Sequence, residues 1–177
     1  SVVLVPLIST LWLRRLPTPG AMLGVGLAAA GLAMLTLTDG LNIAFGDLLV
    51  LGCALSFALH IVSVSAFAPR MDTMGLTIVQ VGTVAVVSGI ITLLDEGLPL
   101  PSSLIPTGPV WFAATFTGIL ATALAFTIQT TMQRFTTPTH TALIFAAEPV
   151  VAALAGVVLA GEAMTSRAIA GGVMIVT

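Results

Sequence analysis

Apolar and polar positions along the chain sort into long apolar stretches with short polar breaks between them. A helix needs about 20 mostly apolar residues to cross a bilayer. Pro19–Leu37, Asp47–Ala68, Leu76–Leu94, Val110–Gln133 and Pro138–Ala160 come close to that length. Ser1–Leu13 reads as the end of a further helix and Ala168–Thr177 as the start of another. The runs are continuously apolar and do not alternate, which favours helices over barrel strands. The breaks are Arg14–Thr18, Thr38–Gly46, Pro69–Gly75, Asp95–Pro109, Arg134–Thr137 and Gly161–Arg167. The longest, Asp95–Pro109, holds four prolines and is expected along the membrane surface. Thr137 before Pro138 predicts an N-cap with proline at the first helical position. The expected fold class is all-α, a polytopic transmembrane helix bundle.

Composition supports lipid as the solvent. The chain is 58% hydrophobic and 7% charged, with a mean hydropathy of +1.17. Soluble domains carry about 25% charged residues, so too few charges are present for a water-facing surface. The net charge of -2 gives no basic footprint for nucleic acid. Cys53 is the sole cysteine, which excludes an intrachain disulfide and a cysteine zinc site. No signal-peptide pattern is present. The chain lacks an initiator methionine and runs from one apolar stretch into another, so it is read as part of a longer membrane protein.

The five basic residues are all arginine, and their placement sets an orientation. Alternate breaks fall on opposite sides of the membrane. Arg14, Arg15, Arg70 and Arg134 then share one side and Arg167 takes the other. The positive-inside rule makes the first side cytoplasmic. Asp39, Asp47, Asp95 and Glu96 are expected outside.

Val5–Leu35 and Glu148–Val176 share a pattern: a proline inside an apolar helix, a short polar break, then a glycine-rich helix. By the arginine count the two copies run in opposite directions, which is the inverted-topology repeat common among secondary transporters. Val5 stands where the second copy has Glu148. The stretches "GDLLVLGCALSFALHIV" (Gly46–Val62), "GILATALAFTIQTTMQR" (Gly118–Arg134) and "TALIFAAEPVVAALAGVVLAGEAMTSRAIAGGVMI" (Thr141–Ile175) resemble the EamA-like family of the drug/metabolite transporter superfamily. The last contains an acid-proline helix followed by a Gly-Glu turn, here Gly161–Glu162. Arg14–Arg15 departs from that turn in the first copy.

The resemblance implies ten helices in two inverted five-helix repeats, of which this chain covers part. Residues 1–37 would be the end of the first repeat and residues 38–177 the second, with the last helix cut short. It also implies an exporter of a small metabolite, an amino acid or related solute, in the inner membrane of a bacterium. No cofactor is expected. The expected partners are the solute, a proton and the lipid bilayer, with a monomer favoured for the full-length protein. The isolated chain is not expected to transport.

Polar groups inside apolar spans are costly and mark candidate sites. Cys53, Ser56, His60 and Ser63 are spaced to share one helix face. Thr115, Gly118, Thr122, Ala125, Gln129 and Gln133 repeat in the same way, and Thr77 and Gln80 form a shorter pair. Ser56, His60, Gln80, Thr122, Gln129 and Glu148 are the residues expected to line a central cavity. The competing reading is hydrogen-bonded packing between helices. His60 fits a substrate contact or proton relay, and equally a packed histidine bonded to a carbonyl. His140 is expected in solvent. Gly20, Gly24 and Ala28, and Ala152, Gly156 and Ala160, are read as close-packing stripes.

Glu148 is followed by Pro149, whose missing N–H deprives the Phe145 carbonyl of its helical partner. A kink is expected there, with Glu148 facing inward. A charged acid at a helix centre costs about 2.5–3.5 kcal/mol on insertion scales. Glu148 is therefore expected to bind substrate or exchange a proton, the alternative being a neutral acid that only hydrogen-bonds the broken helix.

Other function classes lack their residues. "VVSG" at Val86–Gly89 misses the first glycine of an intramembrane serine-protease nucleophile motif. Every aspartate falls at a helix boundary, against an aspartyl protease. Too few His and acid side chains are present for metal hydrolysis. A channel would show charged or carbonyl-rich pore elements. A membrane scaffold or assembly protein remains the alternative to a carrier, although it needs neither polar faces nor a mid-membrane acid.

Overall fold

The structure is a computed structural model that describes residues 1–14, 16–36, 45–95 and 108–177. The described residues are helical, without strands: α1 Leu4–Leu13, α2 Pro19–Thr36, α3 Phe45–Phe67, α4 Thr73–Asp95, α5 Gly108–Phe116, a π segment Thr117–Leu124, α6 Ala125–Met132, α7 Pro138–Ala146, α8 Glu148–Ala160 and α9 Ser166–Val176. Among the described residues, four helical stretches are long and apolar enough to cross a membrane: Phe45–Phe67, Thr73–Asp95, Gly108–Met132 and Pro138–Ala160. Their large apolar side chains are mostly exposed, as in Leu94, Phe112 and Leu159. That suits a hydrocarbon solvent, where burial of apolar surface does not drive helix association. Arg15, Asp39, Glu96 and most of the expected Asp95–Pro109 surface segment lie outside the described residues.

The helices form two compact units, residues 1–66 with 136–177 and residues 67–135. In the first unit, Val5, Ala58, Ile61, Val62 and Ala142 bring α1, α3 and α7 into one buried cluster. Val2, Ala28 and Ala146 form a second, with Leu143 and Ile175 packed on it.

The tightest approach in this unit joins α2 and α9. A Cβ on Gly31 would lie 2.5 Å from the Gly171 carbonyl oxygen, and one on Gly171 would lie 2.7 Å from that of Gly31. Each helix thus rests on the bare backbone of the other. Gly31 neighbours Ile175 while Gly171 neighbours Leu35, so the two helices cross antiparallel. Arg14, before α2, and Arg167, at the start of α9, therefore sit at opposite ends of the pair, as the alternating arginines require.

The turns after α1 and α8 are built alike. Arg14 ends α1 in the left-handed region (φ 51°) and Gly161 ends α8 there (φ 68°). Each is followed after the same interval by a threonine that caps the next helix. Thr18 Oγ1 accepts from the Ala21 N–H at 3.3 Å, and Thr165 Oγ1 accepts from the Ala168 N–H at 3.2 Å. Arginine thus adopts, in the first turn, the backbone shape that glycine supplies more cheaply in the second.

In the second unit, α4 packs against α6. On α4 the inward positions are Thr73, Gly75, Leu76, Thr77, Gln80 and Val81, and every residue from Gly82 to Asp95 is exposed. On α6, Thr130 is buried and Phe126 and Gln129 are half-buried, with the adjoining Gln133 buried.

Candidate functional site

Pro138–Ala160 is divided at Ala147. The Ala147 N–H reaches back three residues to the Ile144 carbonyl at 3.1 Å. The Ala147 carbonyl in turn accepts from Val150 and Val151, at 3.0 and 3.1 Å. Pro149 therefore sits in the first turn of α8, where its missing N–H would have had no helical partner anyway. Glu148 opens α8. Its place is not the centre of an unbroken helix but an N-terminus, where the helix dipole favours a negative charge. The Glu148 side chain is exposed in its unit. Val5, at the matching place in the pattern expected from the sequence, is fully buried in the core. Of the two related positions, one is sealed by packing and the other opens a helix with an acid. Thr137 caps α7 as expected, accepting from the His140 N–H at 3.3 Å, and His140 itself is exposed.

Most of the packed face of α3 lies across the helix from its polar stripe, although Val64, one turn after His60, is buried as well. Ala58, Ile61 and Val62 are buried, whereas Cys53 and Ser56 are exposed and His60 and Ser63 half-buried. Ser56 Oγ donates to the Gly52 carbonyl at 2.9 Å and Ser63 Oγ to the Leu59 carbonyl at 2.7 Å. Both hydroxyls thus return to their own helix. The His60 ring stacks on Phe57, with centroids 6.0 Å apart, and Phe57 in turn meets Phe145 at 5.8 Å. The histidine is therefore tied through aromatic contacts to α7, two residues before the break at Ala147.

Gln80, Thr122 and Gln129 belong to the second unit. Gln80 Nε2 donates to the Leu76 carbonyl at 3.2 Å and approaches Thr130 Oγ1 at 3.5 Å. Thr122 is half-buried inside the π segment. The expected stripe from Thr115 to Gln133 is therefore not one α-helical face. Hydrogen bonds five residues apart widen the turn over Thr117–Leu124, so a 3.6-residue period does not carry through. Thr115, Gly118 and Ala125 are exposed, and the polar face survives only as Gln129 and Gln133. Thr130 was not singled out in the sequence, because a lone threonine in an apolar helix carries little signal. Its spacing of three to Gln133 was the available clue.

Comparison with curated proteins and with solved structures finds no match. The EamA-like transporter family matches residues 44–177. That span takes in the polar stripe of α3, the amides of α4 and α6, and the Glu148–Pro149 break. With most of the chain matched, and helices of membrane-spanning length within the match, this multi-pass membrane protein belongs to the EamA-like transporter family.

Proposed function

We propose that the protein is a secondary transporter of a small metabolite, an amino acid or related solute, that works by alternating access and exports its substrate across the inner membrane of a bacterium. The family match over residues 44–177 carries this reading. The similar turns after α1 and α8 support an inverted-repeat build, which brings broken helices and substrate sites together near mid-membrane. Ser56, His60, Gln80, Thr122, Gln129 and Glu148 are assigned to substrate binding or the cavity lining. Pro149 keeps the break that exposes Glu148 at a helix start. Glu148 is the group for a coupling proton or for a cationic part of the substrate, because it is the only acid away from the ends of the expected spans. No cofactor takes part, and the transporting species is a monomer.

The test is a counterflow screen of the full-length protein in proteoliposomes, with labelled amino acids and related small solutes. The expected result is saturable exchange of one chemical group of solutes. Absence of exchange for every solute, with correctly inserted protein, overturns the carrier reading.

A further inference from the structure

Within the second unit, three glutamines leave amide atoms buried without a protein partner. They are Gln80 Oε1, Gln129 Nε2, and both Nε2 and Oε1 of Gln133. Gln133 is only 2% exposed. Unmet polar atoms in a buried place are expensive, so natural structures keep few without a use. Gln80 cannot flip to relieve the mismatch. Its Nε2 serves the Leu76 carbonyl, which accepts only from a donor, and its Oε1 is left over. Thr130, bridged to Gln80, stands on α6 between Gln129 and Gln133 in sequence. Phe126, Gln129, Thr130 and Gln133 fall within about 100° of one helix flank.

The inventory selects the ligand. Two acceptors and two donors are left unmet inside the unit. A cation would meet the donor N–H groups and an anion the acceptor oxygens, and no charged side chain stands on the inward positions of α4 or on this flank of α6. A buried charge without a counter-charge is disfavoured. A neutral group that both donates and accepts satisfies the set. Arg134, the nearest charge along α6, is exposed and lies 5.8 Å from the centroid of the Phe135 ring.

We propose that Gln80, Gln129 and Gln133 form a subsite for an uncharged, hydrogen-bonding group of the carboxamide class. The proposal rests on the transporter reading only for what happens to the ligand after binding. The protein's own use of these amides predicts an unusual pairing of effects. Gln133→Met keeps the side-chain length and removes two unmet atoms. It raises the ligand-free melting temperature by about 2–4 °C while weakening the ligand. The full-length protein in detergent is titrated with acetamide, propionamide and nicotinamide, and with acetate, propionate and nicotinate as matched controls. Thermal protection is the readout. The amides protect and the carboxylates do not, and Gln133→Met or Gln129→Met raises the half-saturating amide concentration about tenfold or more. Equal protection by both series, no protection by any amide, or a lowered melting temperature in ligand-free Gln133→Met and Gln129→Met overturns the subsite. Amide binding without exchange in proteoliposomes counts against the carrier reading alone. Exchange of a solute unaffected by both substitutions counts against the subsite alone.

Discussion

Adding one methyl group at Gly31 forces α2 and α9 apart. The new Cβ would lie 2.5 Å from the Gly171 oxygen, 2.8 Å from Ile175 Cγ1 and 3.1 Å from Met174 Cβ, where ordinary contact begins at 3.4 Å. The nearest obstacle is a backbone carbonyl that cannot swing aside, so relief requires about 1 Å of helix separation. Overpacking of this kind costs about 1–3 kcal/mol. Alanine also favours helix over glycine by about 1 kcal/mol, which would blur the result for one variant alone. Gly26→Ala removes that ambiguity. Gly26 lies on the same helix with nothing within 4 Å of its would-be Cβ, so it takes the propensity gain without the clash. The gap between the two variants is then the clash itself, about 1–3 kcal/mol, or roughly 2–12 °C in melting temperature for a chain of this size. Thermal unfolding in one detergent, followed by tryptophan fluorescence, measures it. Gly171→Ala is expected to behave like Gly31→Ala. The double variant is expected to cost less than the sum, because helices parted once need not part again. If Gly31→Ala melts at or above Gly26→Ala, the reciprocal glycine contact does not hold α2 and α9 together.

Three further outcomes are expected. Thr18→Ala and Thr165→Ala should each lose about 1 kcal/mol through the missing cap, read by thermal unfolding, while serine at either place should retain most of it. Glu148→Gln should insert and fold normally but lose the pH dependence of transport; unchanged transport between mildly acid and neutral medium would leave Glu148 with a structural role only. In a Cys53→Ser background, a cysteine at Asp95 should react with a membrane-impermeant reagent from outside and one at Arg70 should not, and the reverse pattern would refute the orientation read from the arginines.

Much of the helix layout was legible because lipid imposes a sharp contrast between spans and breaks. Pro138–Ala160 was expected with those bounds and is a spanning stretch with those bounds. The Thr137–Pro138 start follows from capping chemistry that is local in sequence. The break beside Pro149 was legible as well, because a missing N–H is a property of the residue. Its position at Ala147 was not, because the chain chooses where to turn according to which carbonyls find other donors. The π segment was hidden for a similar reason: "TGILATAL" reads equally well as an α-helix, and only the hydrogen-bond spacing tells the two apart. The candidate residues were found by polarity, but how they group was not legible. Ser56 turned out to bond to its own helix, and Gln133, read only as part of a stripe, proved the most deeply buried of the amides.

The π segment also sets where the chain can change length. A ring closed five residues back holds one residue more than a ring closed four back, so Thr117–Leu124 stores surplus backbone inside an otherwise α-helical span. Deleting a residue there lets the segment relax to an α-helix, and α5 and α6 keep the faces they present. The same deletion in α4 between Thr73 and Gln80 has no surplus to draw on and turns Gln80 about 100° around the helix axis, away from Thr130. A scan of single-residue deletions along Gly108–Met132 and Thr73–Asp95 should therefore find membrane insertion and folding preserved in one short window, and that window should coincide with the widened turn.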